Sequence, residues 1–205
     1  VTRDERRRWN ANYNRDPDRS PTDPSPLLET VATECRPGRA LDVATGGGRN
    51  AGLLASMGWT VDAIDISRRI LTDARERGGP STPAGEINWI LADVDSYGFP
   101  SRAYDLVTIC NFDGRGRLSD IIESLQPGGL LVYEHYVEPD DGNGSPGNRY
   151  RFAPGELLAL THDEPLEVRT YFEFERGDEQ RVAFVGQRSP EIDHGGLLFL
   201  PSPFA

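Results

Sequence analysis

The chain has 205 residues, 37% of them hydrophobic, which suits one domain with a sizeable core. Its formal net charge of −11 excludes nucleic acid as an expected partner, because phosphate contacts need clustered basic residues. No run approaches the ~18–20 apolar residues of a membrane span.

The N-terminus, VTRDERRRWN, is not followed by an apolar run, so no secretory leader is expected. Cys35 and Cys110 show no CxxC or Cys/His spacing and read as reduced thiols in a cytoplasmic protein. No His or Cys has partners at metal-ligand spacing, and no metal is expected.

Thr2 and Glu5 stand at capping-box spacing and predict a helix over 2–14. Trp9 and Tyr13, four apart, share one face of it. They either staple an N-terminal arm to the domain or line a substrate pocket, since aromatics serve both. Residues 16–26 (DPDRSPTDPSP) are a proline-rich loop. Ser25 caps the next helix, with Pro26 in its first turn. Leu27, Leu28, Val31, Ala32 and Cys35 form its apolar stripe, and Pro37-Gly38 stops it.

Residues 40–50, ALDVATGGGRN, are the centre of the pattern. A strand over 39–44 carries one acid, Asp42. It breaks into Gly46, Gly47 and Gly48, and a helix follows to about Met57, with Gly58 as its stop. Such a turn lets backbone approach a ligand closely and aims a helix N-terminus at it. A second strand over 59–65 ends in Asp65. Ser67 caps a helix to about Arg77, ended by Gly78-Gly79. A third strand over 86–92 ends at Asp93, and a fourth spans 104–110. Leu118, Ile121, Ile122 and Leu125 have helical spacing. Pro127-Gly128-Gly129 is expected to end that helix and feed a fifth strand, LLVYEHYV. Residues 138–150 are a polar Gly/Pro loop, and Pro154 starts a short helix. Strands over 166–174 and 180–187, parted by Gly177-Asp178, form an antiparallel hairpin. The apolar tail GGLLFLPSPFA closes the chain.

Strand alternating with helix predicts a doubly wound α/β sheet, mostly parallel, with a C-terminal antiparallel hairpin. The division expected is one domain over 1–205: an N-terminal arm (1–37), a core (38–187) and a tail (188–205). Ligands in such sheets bind outside the strand carboxyl ends. The candidates there are Asp42 to Gly48, Asp65, Asp93, Asn111 and Glu134 to Tyr136.

Gly46-x-Gly48-x-x-Ala51 satisfies the dinucleotide fingerprint, and Asp65 lies near the ribose-acid distance. That alone fits an NAD(P)-binding oxidoreductase. Asp42 inside the first strand, Asp93 at the third and the antiparallel hairpin favour a different ligand. Three carboxylates repel a pyrophosphate but suit a cation, a ribose diol and an adenine amine.

These residues resemble a class I S-adenosylmethionine-dependent methyltransferase. Asp42-x-Ala44-x-Gly46-x-Gly48 is similar to that family's first motif, (D/E)xGxGxG, with Ala44 in place of the first glycine. Asp65, Asp93 and the PGG turn fall in the family's order. Within the family, GGGRN with LLASMGWTVDAIDIS, the RWNANY arm and FAPGELL resemble the small tellurite-resistance-type branch. The resemblance implies a Rossmann-like sheet of order 3-2-1-4-5-7-6 and S-adenosylmethionine as cofactor, leaving S-adenosylhomocysteine.

By that resemblance, Ala44, Thr45, Gly46, Gly47 and Gly48 pass beside the aminoacyl moiety. Asp42 supports the turn or pairs with the amino group, and Arg49 and Asn50 fix the loop. Asp65 binds the ribose hydroxyls, Ile66 packs on adenine, Asp93 takes the adenine amine with Val94 beside it, and Asn111 meets methionine or substrate. His135 is the candidate general base; its alternative is a half-exposed strand histidine. Trp9, Tyr13, Tyr136 and Arg149 are the candidate substrate residues, and Arg117 is a weaker one. The expected reaction is methyl transfer to a small-molecule acceptor by a monomer or homodimer, with no nucleic acid and no membrane. The alternatives are the oxidoreductase and a cofactor-binding protein without transfer activity.

Overall fold

The computed structural model describes residues 7, 9, 11, 21–76, 85–139 and 150–190. Tyr13, Arg149, Gly78-Gly79, the loop over 140–149, His194 and the apolar tail over 191–205 lie outside the described residues. The capping-box pair Thr2 and Glu5 lies outside them as well.

Seven strands form one sheet: β1 (Arg39–Val43), β2 (Thr60–Asp65), β3 (Glu86–Leu91), β4 (Tyr104–Cys110), β5 (Leu125–Tyr136), β6 (Leu166–Arg176) and β7 (Glu179–Arg188). Their order is β3-β2-β1-β4-β5-β7-β6. β1 to β5 pair in parallel. β7 runs antiparallel to both β5 and β6. The doubly wound, mostly parallel sheet with an antiparallel hairpin, in the 3-2-1-4-5-7-6 order, is therefore present. Helices over the fully described segments are α1 (Pro26–Glu34), α2 (Arg49–Ser56), α3 (Arg68–Glu76), α4 (Leu118–Glu123) and α5 (Glu156–Thr161), with a 3₁₀ turn over Arg115–Arg117; residues 7, 9 and 11 are helical as well.

Strand alternation divides the core between the two faces of the sheet. On one face Leu41, Val43, Val107, Ile109, Tyr133 and Phe184 pack with α4 and α5. On the other, Ala40, Ala63, Leu106 and Val132 pack with α1 and α2 through Leu28, Ala32, Ala51 and Leu54. Asp42 follows Ala40 by two residues and so lies on the α1/α2 face. Ser25 caps α1 as its sequence suggests, its Oγ accepting from Leu28 N at 3.0 Å.

One boundary differs from the sequence expectation. Pro127-Gly128-Gly129 does not separate helix from strand; it lies inside β5, which already begins at Leu125. The β4–β5 register shifts between the Tyr104–Leu125 and Leu106–Leu130 pairs, and Gly128 has φ 83°. A Cβ on Gly129 would lie 2.9 Å from the Gln126 carbonyl. The three residues thus form a bulge in which φ favours glycine at 128 and crowding favours it at 129, and Ser124 ends α4 instead.

Among the described residues no helix is long and apolar enough to cross a membrane.

Candidate functional site

The carboxyl ends of β1, β2 and β4 meet around the turn from Ala44 to Gly48. Three of its residues have positive φ: Ala44 at 54°, Gly46 at 56° and Gly48 at 77°. Gly48 is also the N-cap of α2. A Cβ there would stand 2.4 Å from Cη2 of Trp89 on β3. Backbone sign and the Trp89 ring both demand glycine at 48. Ala44 is different: its left-handed backbone costs a residue with a Cβ about 1–2 kcal/mol. The alanine that replaces the motif's first glycine therefore bears strain at the site itself.

Two acids hold the turn. Asp42 is 1% exposed and accepts from the Thr45 hydroxyl and, at 3.1 Å, from Ala51 N in the first turn of α2. Burial raises its pKa to about 6, opposed by those hydrogen bonds and by Arg49. Asp65 is 6% exposed; it accepts from Gly46 N at 3.0 Å and Ser67 N at 2.8 Å. Ile66 N is a third donor to it. Burial pushes this carboxyl upward too. A carboxylate has about four acceptor positions, so Asp65 keeps about one for a ligand. Ile66 beside it is half-buried.

Arg49 and Asn50 reach away from the turn. Asn50 is buried and its Oδ1 accepts from Ser25 N at 3.0 Å. Arg49 donates to the Asp23 carbonyl and, at 2.9 Å, to Cys110 Sγ. Ser25 Oγ also donates to buried Glu134, whose Oε2 lies 3.9 Å from the Cys110 thiol. Residues 23–25 are thus strapped across the ends of β4 and β5 by α2. Burial pushes the Cys110 thiol up to about 11, which keeps it protonated near neutrality. The sequence shows Ser25 only as a helix cap. Its bond to Glu134 spans 109 residues, and no local signal announces it.

Asp93 follows β3, is half-buried, and accepts from Asp95 N at 3.1 Å. Val94 is 4% exposed and packs its side chain into the core, so only its backbone can face a ligand. Asn111 closes β4 with φ 58° and donates through its backbone to the Glu134 carbonyl at 3.0 Å. Its Oδ1 accepts from Arg181 Nη2 at 2.6 Å. The Arg181 guanidinium carbon stands 4.4 Å from the centre of the half-buried Tyr136 ring.

Two expectations change. His135 is 3% exposed rather than half-exposed. It packs edge-on to Phe152 at 5.2 Å, and its Nε2 lies 2.7 Å from the Tyr150 carbonyl. Alternation along β5 puts it on the face opposite Asp42, Glu134 and Tyr136. Burial lowers its pKa to about 4, leaving neutral imidazole with a weakly basic, buried Nδ1. The second is Arg117. Rather than facing a ligand, it ties the segment after β3 to α4, donating to the Val94 and Tyr97 carbonyls and to Asp120. Trp9 is helical and half-buried. Among the described residues no cluster of three His, Cys, Asp or Glu could hold a metal ion.

Residues 40–129 match a family model described as a methyltransferase domain. A demethylmenaquinone methyltransferase from Tropheryma whipplei is 36% identical over 104 residues, 48% of this chain and 42% of that one. A ubiquinone/menaquinone biosynthesis C-methyltransferase from Ectopseudomonas mendocina is 32% identical over 114 residues, 51% and 44%. The matched stretches span less than half of either relative. A solved S-adenosylmethionine-dependent methyltransferase from Methanosarcina mazei superposes with a TM-score of 0.67 at 18% identity. That superposition covers 82% of this chain and all of the other, and it shows the shared fold. Residues 40–129 are thus similar in sequence to a methyltransferase domain, and the sheet that carries them has the class I methyltransferase order.

Proposed function

We propose that this protein binds S-adenosylmethionine at the turn between β1 and α2 and transfers its methyl group to a small-molecule acceptor. The observation that carries the reading is the pair Asp42 and Asp65. Both are buried, both accept backbone N–H groups, and together they hold Ala44 to Gly48 open at the switch point of the sheet. The residues suit the cofactor. The turn's backbone serves the aminoacyl moiety, and Asp65 has an acceptor position left for a ribose hydroxyl. Ile66 offers an apolar surface for adenine, with Asp93 and the Val94 backbone for its polar edge. Arg49 and Asn50 keep the strap at 23–25 in place rather than gripping the ligand.

When bound, the cofactor supplies an activated methyl group with its own leaving group. The chain's contribution is orientation and exclusion of water. His135 is not assigned as the base: it lies on the other face of the sheet and its pKa is far below neutrality. Tyr136 and Asn111 are the polar residues at the acceptor side of β4 and β5. A non-macromolecular acceptor is supported by the two relatives, one named for demethylmenaquinone and the other for ubiquinone/menaquinone biosynthesis. The resemblance to the tellurite-resistance-type branch adds tellurite and selenite to the acceptors worth trying. We assign residues 38–187 to the cofactor core. The free thiols of Cys35 and Cys110 suit a reducing, cytoplasmic compartment.

Thermal-shift titration tests the cofactor. S-adenosylhomocysteine is expected to raise the melting temperature with saturation, and NAD to leave it unchanged. Stabilisation by NAD and not by S-adenosylhomocysteine would overturn the proposal. Binding of S-adenosylhomocysteine with no transfer to quinones, thiols, halides, tellurite or selenite would instead favour a non-catalytic binding protein.

A further inference from the structure

On the methyl-transfer reading above, we infer that Arg181 is an acceptor-binding residue and that the acceptor carries a carboxylate. β7 runs antiparallel to β5 and pairs Arg181 with Tyr136 at the carboxyl end of β5. Paired residues of neighbouring strands share a face. Arg181 therefore lies on the α1/α2 face, with Asp42, Glu134 and the strap at 23–25.

Its guanidinium is held from two sides but neutralised by neither. Nη2 donates to Asn111 Oδ1 at 2.6 Å, and the Tyr136 ring lies beneath at 4.4 Å. Nε is buried with no acceptor. Three other described arginines around this end of the sheet have carboxylate partners: Arg115 has Asp113 and Glu156, Arg117 has Asp120, and Arg151 has Glu179. Arg49 is spent on the Asp23 carbonyl and Cys110 Sγ, which tie down the strap. Arg181 has an amide and a ring instead. A buried donor left unpaired is unfavourable, and a group kept so needs a reason. In a chain of net charge −11, a guanidinium without a carboxylate is a local cation in a field that repels anions.

The neighbouring polar groups are placed to share an anion. Asn111 spends its Oδ1 on Arg181, so its amide NH2 points elsewhere as a donor. Its backbone at the end of β4 is left-handed, φ 58°, and its side chain meets Arg181 on β7. Tyr136, half-buried, brings a phenol to the same edge. A planar guanidinium, an amide donor and a hydroxyl match a carboxylate, which accepts from several donors in one plane. A neutral acceptor would gain little from a fixed cation.

The probes are matched pairs of carboxylates and primary amides: benzoate and benzamide, phenylacetate and phenylacetamide, hexanoate and hexanamide. Binding is measured by ligand-observed NMR, with and without S-adenosylhomocysteine. The wild type is expected to bind at least one carboxylate at least tenfold more tightly than its amide. Arg181→Gln retains an amide for contact with Asn111 and is expected to lose that preference. Arg181→Lys keeps the charge without the planar fork and is expected to fall between them; melting curves establish that each variant is folded. A wild type that binds no carboxylate, or binds amide and carboxylate alike, overturns the inference. So does an Arg181→Gln variant that is folded and keeps the preference. Failure of S-adenosylhomocysteine to bind would instead count against the cofactor reading, because carboxylate binding is also measured without it.

Discussion

Replacing Asp42 with asparagine separates the acid's hydrogen bonds from its charge. Burial lifts this carboxyl from an ordinary 3.8 to about 6. At neutral pH the folded state therefore holds a charge it disfavours, at a cost of about 3 kcal/mol relative to an unshifted carboxyl. The sign follows from proton counts. Between about pH 4 and 6 the folded chain binds this proton and the unfolded chain does not, so acidification stabilises the fold through Asp42. Asparagine does not titrate. Its carbonyl can still accept from Ala51 N or the Thr45 hydroxyl. The stability of the wild type minus that of Asp42→Asn should thus shift toward the wild type by about 2 kcal/mol on going from pH 7 to pH 4. Urea unfolding at each pH, followed by Trp fluorescence, measures that difference. A gap that stays constant, or that moves toward the variant, would show that Asp42 titrates normally and that the turn is not anchored on a desolvated acid.

His135 titrates over the same range with the opposite sign. Its pKa is lowered to about 4, so acidification below the ordinary 6.5 protonates the unfolded chain first and destabilises the fold. His135→Phe should suit the aromatic cluster of Tyr133 and Phe152 and lose less stability than the wild type between pH 6.5 and 4; equal losses would refute the assignment. Ala44→Gly should gain up to about 1 kcal/mol, the left-handed strain relieved less the added freedom of the unfolded chain. A destabilised Ala44→Gly in urea would show the strain to be absent. Gly48→Ala should cost about 2–4 kcal/mol through φ 77° and the Trp89 contact. In a double-mutant cycle Trp89→Leu should recover only the steric part, and full recovery would remove the backbone part of the explanation.

The architecture was largely legible in the chain. Apolar runs at strand length alternate with helical stripes, and Gly177-Asp178 between two β-rich segments indicates the antiparallel hairpin. Those patterns are local, with periods of 2 and 3.6, and they survive without tertiary information. The PGG bulge was not legible, because the same residues end a helix or kink a strand according to what pairs alongside.

The site divides in the same way. Asp42, the three glycines, Asp65 and Asp93 stand out because residue type and strand end coincide. From sequence alone they point to a nucleotide-like ligand at this turn, the basis of the function proposed above. What each side chain contacts was decided by packing between distant segments. His135 was buried against Phe152, and Arg117 was taken up by the Val94 and Tyr97 carbonyls. Arg181 reached Asn111 across 70 residues because β7 inserts antiparallel beside β5. Periodicity fixes which face of a strand a residue occupies, but desolvation and the choice of partner arise only once the sheet has closed.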